Sequence, residues 1–270
     1  MKMKPDCNHP RSKVLHLFVG LFAGVFIASI LLVTASKADE FRVENSVFSG
    51  NSQNPITEST TIFVKGLVYD FLKDPPEITL FDAANRRFVL LDLSRRVKTE
   101  LRTDQVAAFL GTLKTWALNH QDSFIRFTAE PQLSVSRDEE TREYLLESPW
   151  LSYRVKAEHP VDPVIVTRYR EFSDWYCQLN TMLNPGSRLP FPRLLLSRVL
   201  AENGELPSEV HLTLKKTGGI LGRQQIFRSR HQFIYHLVQA DRDRVSQAEQ
   251  FLAIFMPVTF IDYQKHFLRQ

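Results

Sequence analysis

From residue 41 to about residue 101 the chain runs in short stretches of strand-type residues separated by turn-forming ones. The runs Phe41–Phe48 and Thr60–Phe71 are rich in Val, Ile, Phe, Thr and Tyr, and the stretch 50–55 between them is turn-forming. Such runs bounded by turn signals predict strands. Lys73-Asp74-Pro75-Pro76 cannot continue a ladder, because two consecutive prolines supply no N–H, and β-type residues resume at Glu77–Phe81. Arg87–Leu93 and Val97–Leu101 follow a turn at Ala83-Ala84-Asn85. The spacing predicts four or five sequential antiparallel strands in which chain neighbours pair.

The apolar spacing then becomes helical. Thr103 is a candidate cap for a helix with Asp104 in its first turn, and Val106, Phe109, Leu110, Leu113, Trp116 and Ala117 fall on one face. Strand-like runs resume at Phe124–Thr128, Leu133–Ser136, Glu143–Leu146 and Trp150–Ala157, with Arg137-Asp138-Glu139-Glu140 as a charged hairpin tip. Asp162-Pro163 is a strong helix start, after which Ile165, Tyr169, Phe172, Tyr176, Leu179 and Leu183 form one apolar stripe. Asn184-Pro185-Gly186 ends that helix, and a shorter one is expected over Arg193–Glu202, closed by Asn203-Gly204. Glu209–Leu214 and Gln225–Val238 read as a long hairpin around Lys215-Lys216-Thr217-Gly218-Gly219. A last helix is expected from Asp243, with Val245, Ala248, Phe251, Leu252 and Phe255 inward, followed by a hydrophobic tail closing with Phe267.

These elements predict an α+β fold: a curved antiparallel β-meander sheet of half-barrel type, with three to four amphipathic helices packed on one face. Residues 39–270 read as a single domain, in which a subdivision near residue 160 is the one candidate boundary.

The N-terminus changes the reading of the charge. Lys2, Lys4, Arg11 and Lys13 precede an uncharged run from Val14 to Ala35 and the small-residue site Ser36-Lys37-Ala38. This is the pattern of an export signal, with cleavage expected after Ala38. The uncharged run has 22 residues. Secretory apolar regions span about 7 to 15 and about 20 cross a bilayer, so residues 1–38 are either a signal peptide or an uncleaved signal anchor. Both send the remainder out of the cytoplasm, to the periplasm, the medium or the outer surface of the membrane. The formal net charge of the whole chain is +4, but residues 1–38 hold five basic groups against Asp6 alone, leaving 29 basic and 29 acidic residues in the exported part. A polyanionic partner such as nucleic acid is therefore not expected. Cys7 precedes the apolar run and cannot be a lipoprotein cysteine, so Cys177 is the single exported cysteine and is expected as an inert, partly buried thiol.

The chain has no phosphate-binding glycine loop, no H-E-x-x-H or C-x-x-C, no Asp-rich calcium loop and no nucleophile elbow. No catalytic, cofactor-binding or metal residues are assigned, and no cofactor is expected. The unusual cluster is basic: Lys215, Lys216, Arg223, Arg228 and Arg230 around the long hairpin, with His231 and Tyr235 beyond. Arg228 and Arg230 alternate onto one strand face. They either meet an anionic group, such as a lipid headgroup, or form a solvated face balanced by acids such as Asp241 and Asp243.

Glu-Ile-Thr-Leu-Phe-Asp at 77–82 and Arg-Phe-Val-Leu-Leu-Asp at 87–92 are short sequential hairpin strands. Over about residues 58–101 the chain resembles the periplasmic lipoprotein carriers and their relatives. It departs from them in lacking a long helix straight after the signal. The resemblance implies a half-barrel that holds acyl chains in its hollow, and no binding residues are carried over from it. Two functions follow as expectations. One is an exported non-catalytic binding module with an apolar hollow for a lipid-like or lipoprotein-like ligand. The other is a structural or protein-interaction protein of the envelope with a solid core, and the membrane is a partner in both if the anchor is retained.

Overall fold

Three hairpin loops of the chain are built by one local device. Asp82, Asp92 and Asp138 each accept, through Oδ1, the backbone N–H of the residue three positions on, at 3.1 Å for Asn85, 2.8 Å for Arg95 and 2.8 Å for Thr141. The next residue is an arginine in the left-handed region each time, with φ of 53° at Arg86, 55° at Arg96 and 62° at Arg142. A side chain in that region costs roughly 1–2 kcal/mol, and the aspartate cap offsets it by fixing the turn. The recurrent Asp-x-x-x-Arg spacing is therefore a hairpin signal written in the sequence.

The computed structural model describes residues 40–215 and 224–265. Ala38, Lys216, Arg223 and Phe267 lie outside the described residues. Six consecutive strands form an antiparallel meander: β1 (Phe41–Ser49), β2 (Thr57–Val64), β3 (Leu67–Leu72), β4 (Glu77–Asp82), β5 (Arg87–Asp92) and β6 (Val97–Arg102). The expected Thr60–Phe71 strand is thus two strands. Lys65 and Gly66 both take positive φ, 51° and 78°, which is the two-residue turn that a right-twisted hairpin prefers.

Helix α1 (Thr103–Leu118) follows, its entry fixed by the Arg102 N–H donating to Gln105 Oε1 at 2.8 Å, one residue before the expected cap. Trp116, expected inward, is 51% exposed and lies against His120. The run Phe124–Thr128, expected as a strand, is helix α2 (Ser123–Ala129). Asp122 accepts the Phe124 N–H at 2.7 Å, and this N-cap outweighs the local strand preference. A second meander follows through β7 (Ser134–Arg137), β8 (Tyr144–Glu147) and β9 (Leu151–Glu158). The helices α3 (Val164–Leu183) and α4 (Phe191–Glu202) come next, and then the hairpin of β10 (Leu206–Leu214) and β11 (Gln225–Ile234).

The described residues belong to one compact unit, and β1 pairs with β11, so strands from both sides of residue 160 share one sheet. That sheet is curved and unclosed, mostly antiparallel, and runs β12-β6-β5-β4-β3-β2-β1-β11-β10-β9-β8-β7. Here β12 is the two-residue Met256–Pro257, which runs parallel to β6. The α+β class and the meander are as the sequence predicts.

The helices do not all lie on one face. The α3 stripe Ile165, Tyr169, Phe172, Leu179 and Leu183 packs with Val106 and Leu110 of α1 onto Phe41, Val43, Phe63, Phe81, Phe88 and Leu90. On the same face α4 adds Leu196 and Leu200 over Tyr153, Val155 and Val210. Helix α5 (Gln239–Ile254) instead packs Val245 and Ala248 against Ile62, Val64, Ile78, Leu80, Val89 and Leu91, which alternate with the first set along the same strands. A strand with both parities apolar must be covered twice, as β2, β4 and β5 are. Helix α5 also starts four residues before the expected Asp243, where Asp241 Oδ2 accepts the Val238 N–H at 2.9 Å.

After α5 the chain rounds the sheet edge. Phe255 sits in the α5-side core, the Val258 N–H donates to the Lys98 carbonyl at 2.8 Å, and Tyr263 of α6 (Phe260–Gln264) is buried in the α3-side core. Pro257 leaves β12 short of a donor, which blunts this edge against further pairing. Among the described residues no helix is long and apolar enough to cross a membrane.

Candidate functional site

Helix α5 covers only part of its face. Across β9, β10, β11 and the far end of β1, cross-strand pairing brings Arg154, His211, Arg228 and Phe48 into one row, and Glu209 and Arg230 into the next. The Arg154 and Arg230 side chains on these rows are 55% exposed. Arg228 and Arg230 share this face, as the period of two predicts, and both guanidinium carbons lie over the Phe48 ring, at 4.5 and 5.6 Å from its centroid. The ring beneath them is only 6% exposed. This is a pair of cation–π contacts, in which planar guanidinium groups cover an aromatic surface.

The charge on this face is mostly balanced, and by other acids than the sequence points to. Glu209 accepts from Arg230 Nε at 3.0 Å and also binds His211, while Glu143 takes Arg154 at 3.3 Å and Lys156 at 3.9 Å. Hydrogen bonds from His211 and Arg230 hold the Glu209 carboxyl below its ordinary range against the opposing effect of desolvation. Asp241 instead pairs with Arg42 at 2.7 Å, and Asp243 accepts from Gln239. Lys215 is not part of the array: its Nζ donates to the Ser148 carbonyl at 2.7 Å, which ties the end of β10 to the β8–β9 turn. His231 and Tyr235 are not part of it either. His231 points to the α3 face, and the Tyr235 hydroxyl reaches Glu158. Among the described residues Arg228 has no carboxylate within ion-pair distance and no acceptor for its buried Nε.

The α3 face carries a second polar arrangement, enclosed by the core. His231 Nδ1 meets Asn45 Oδ1 at 2.8 Å, Asn45 Nδ2 donates to Thr61 Oγ1 at 2.9 Å, Thr61 Oγ1 donates to Asp70 Oδ1 at 2.6 Å, and the Tyr176 hydroxyl donates to Asp70 Oδ2 at 2.8 Å. The chain of bonds crosses β11, β1, β2 and β3 and ends on α3. Burial raises the Asp70 carboxyl above its ordinary value, opposed by the bonds from Thr61, Tyr176 and Ser59. Burial, aided by the positive charge of Arg193, pushes the His231 imidazole down to about 3, so it is neutral at physiological pH. On its other side the ring places Nε2 3.2 Å from the Ser229 hydroxyl of the same strand, and the arrangement satisfies buried polar groups. Nothing in the sequence pattern points to it, because its members come from five separate elements.

Cys177 is half-buried, and burial pushes its thiol up to about 12. It donates to the Asp174 carbonyl, and its partial burial is as expected. Between α3 and α4 runs an open cleft of about 350 Å³, lined by Thr167, Arg170, Glu171 and Asp174 beside Val166 and Trp175. Ala201 of α4 completes a lining that carries three charged side chains. Among the described residues no group of three or more His, Cys, Asp or Glu side chains converges on one point. No protein-family model matches the chain, and no curated protein compared with it matches.

Proposed function

We propose that the protein is a non-catalytic interaction module of the cell envelope, exported to work outside the cytoplasm, which binds another protein through its surface and carries no ligand in its core. The observation that carries this reading is the filling of the space between the sheet and α3, where a carrier would keep its hollow. Phe41 stacks on Phe63 at 4.1 Å, Phe172 of α3 meets Phe63 edge-on at 5.8 Å and Phe81 at 6.1 Å, and Phe81 contacts Phe88 at 4.8 Å. Aromatic pairs at these separations are close-packed, and evicting one ring for a ligand would forfeit about 3–5 kcal/mol of core packing. The α3–α4 cleft agrees with this reading, since it is open and sets Arg170, Glu171 and Asp174 along its wall. The export pattern of residues 1–38 supports the location.

Native mass spectrometry of the full-length chain from an exporting bacterial host tests the proposal. A bare chain is expected, at the mass of residues 39–270 if the signal is cleaved or at full length if it is an anchor. A stoichiometric co-purifying lipid would overturn it in favour of the carrier.

A further inference from the structure

We infer that the bare face formed by β9, β10, β11 and the end of β1 is the docking surface of this module, and that its partner is an acidic polypeptide segment whose carboxylates Arg228 anchors. The inference rests on the interaction-module reading and names the partner's chemistry.

The charge count sets the sign of the partner. Arg154, Lys156, Arg228 and Arg230 are four permanent cations, against the two carboxylates Glu143 and Glu209 that pair with three of them. The excess is shared between Arg154 and Lys156, which have Glu143 alone, and Arg228, which among the described residues has no carboxylate. The position of Arg228 is preorganised. The guanidinium lies 4.5 Å above the Phe48 centroid, with one edge against the sheet where Nε is buried. Stacking fixes the plane of the fork and leaves its remaining N–H groups to be satisfied from outside. A guanidinium already held in one orientation loses little further freedom when it takes up a carboxylate in bidentate fashion.

The surroundings favour a polypeptide over a bilayer. A membrane-binding face combines projecting Lys and Arg with exposed apolar side chains that enter the lipid. Among the described residues, no large hydrophobic side chain of β1, β9, β10 or β11 is exposed, and Glu209 and Glu143 stand between the cations. Adjacent strands set Arg154, His211 and Arg228 about 4.8 Å apart along one row. A carboxylate seated at Arg228 therefore has a second permanent cation, Arg154, about 9.6 Å away along the same row, with Glu209 in the next row.

The test uses the full-length chain and a fluorescein-labelled peptide of alternating Glu and Ser, followed by fluorescence anisotropy. A Gln-for-Glu peptide and phosphatidylglycerol vesicles serve as the other arms. Saturable binding of the Glu peptide is expected, weakening as ionic strength rises to about 0.15 M, with none for the Gln peptide. Arg228→Gln should weaken it at least about tenfold. Arg154→Gln, at an exposed site, should weaken it by a smaller factor and keeps the question answerable if the first variant does not fold. No preference for Glu over Gln, binding indifferent to both substitutions, or capture by vesicles in place of the peptide would each overturn the inference. A bare chain in native mass spectrometry that ignores the peptide defeats the docking surface alone, whereas a bound lipid defeats the interaction-module reading itself.

Discussion

The Tyr176 hydroxyl, in the middle of α3, donates to Asp70 Oδ2, in the middle of β3, at 2.8 Å. It is the point at which the longest helix is tied by a side-chain hydrogen bond to the enclosed polar chain of the sheet. Tyr176→Phe leaves the shape of the core intact and removes one of the donors to a fully enclosed carboxyl. A loss of about 1–3 kcal/mol is expected, because the oxygen is left without its partner. Urea denaturation of Tyr176→Phe, Asp70→Asn and the double variant measures the coupling, which should be on the order of 1 kcal/mol. Strict additivity would show that the bond contributes nothing to stability.

Glu77 on β4 faces Asp92 on β5 across one ladder position, with Tyr263 and Arg95 against them. Burial, reinforced by the Asp92 charge and opposed by Tyr263 and Arg95, raises the Glu77 carboxyl from 4.5 to about 8. The native state therefore holds this proton more tightly than the unfolded chain. Its stabilising contribution is full below pH 4.5 and is lost as pH rises from there through about 8. Denaturation midpoints measured across that window should fall more steeply for the native sequence than for Glu77→Gln, which stays neutral throughout. Equal slopes would remove Glu77 from the pH dependence.

His231 gives the opposite sign. Its imidazole is lowered from 6.5 to about 3, so the contribution it makes by remaining neutral is full above pH 6.5 and drains away as pH falls toward 3. The carbon-bound ring protons of His231, followed by NMR, should hold their neutral-form shifts down to about pH 4. A midpoint near the ordinary histidine value would mean that the site is open to water.

Arg95 ties down the C-terminal turn. It bonds Asp92 at 2.6 Å and donates to the carbonyls of Asp262 and Tyr263 at 3.2 and 3.0 Å. Arg95→Ala removes all three anchors together, while Gln264 still holds the Met182 and Leu183 carbonyls. Limited proteolysis should then cut between residues 256 and 265 well before the sheet, and amides of that segment should exchange faster while those of β3–β5 do not. Uniform loss of protection would mean that the segment is not a separate unit.

The sites differ in how far they can be read from residues in order. That Arg228 and Arg230 share a face follows from the two-residue period alone. That Glu209 neutralises Arg230 requires the β10–β11 register, and that Phe48 lies beneath both arginines requires β1 to pair with β11, nearly 180 residues away along the chain. Asp241 and Asp243 are closer in sequence to the arginines, yet α5 turns them toward Arg42 and Gln239. The run Phe124–Thr128 shows the same limit on a smaller scale, where five strand-type residues become a helix because Asp122 caps them.

Local sequence by itself determined which segments are strands or helices, where most of them turn, and which side chains share a face. It did so because alternation, apolar stripes, prolines and capping aspartates act within a few residues of each other. It also set the net charge of residues 39–270 at zero, since the excess of basic groups lies in residues 1–38. Tertiary structure alone decided that the two meanders join through β1 and β11, that α5 crosses to the other face, and that Arg228 is left without a carboxylate among the described residues. Each of these depends on contacts between segments far apart in the chain, where the free energy of burying both faces of β2, β4 and β5 outweighs any local preference.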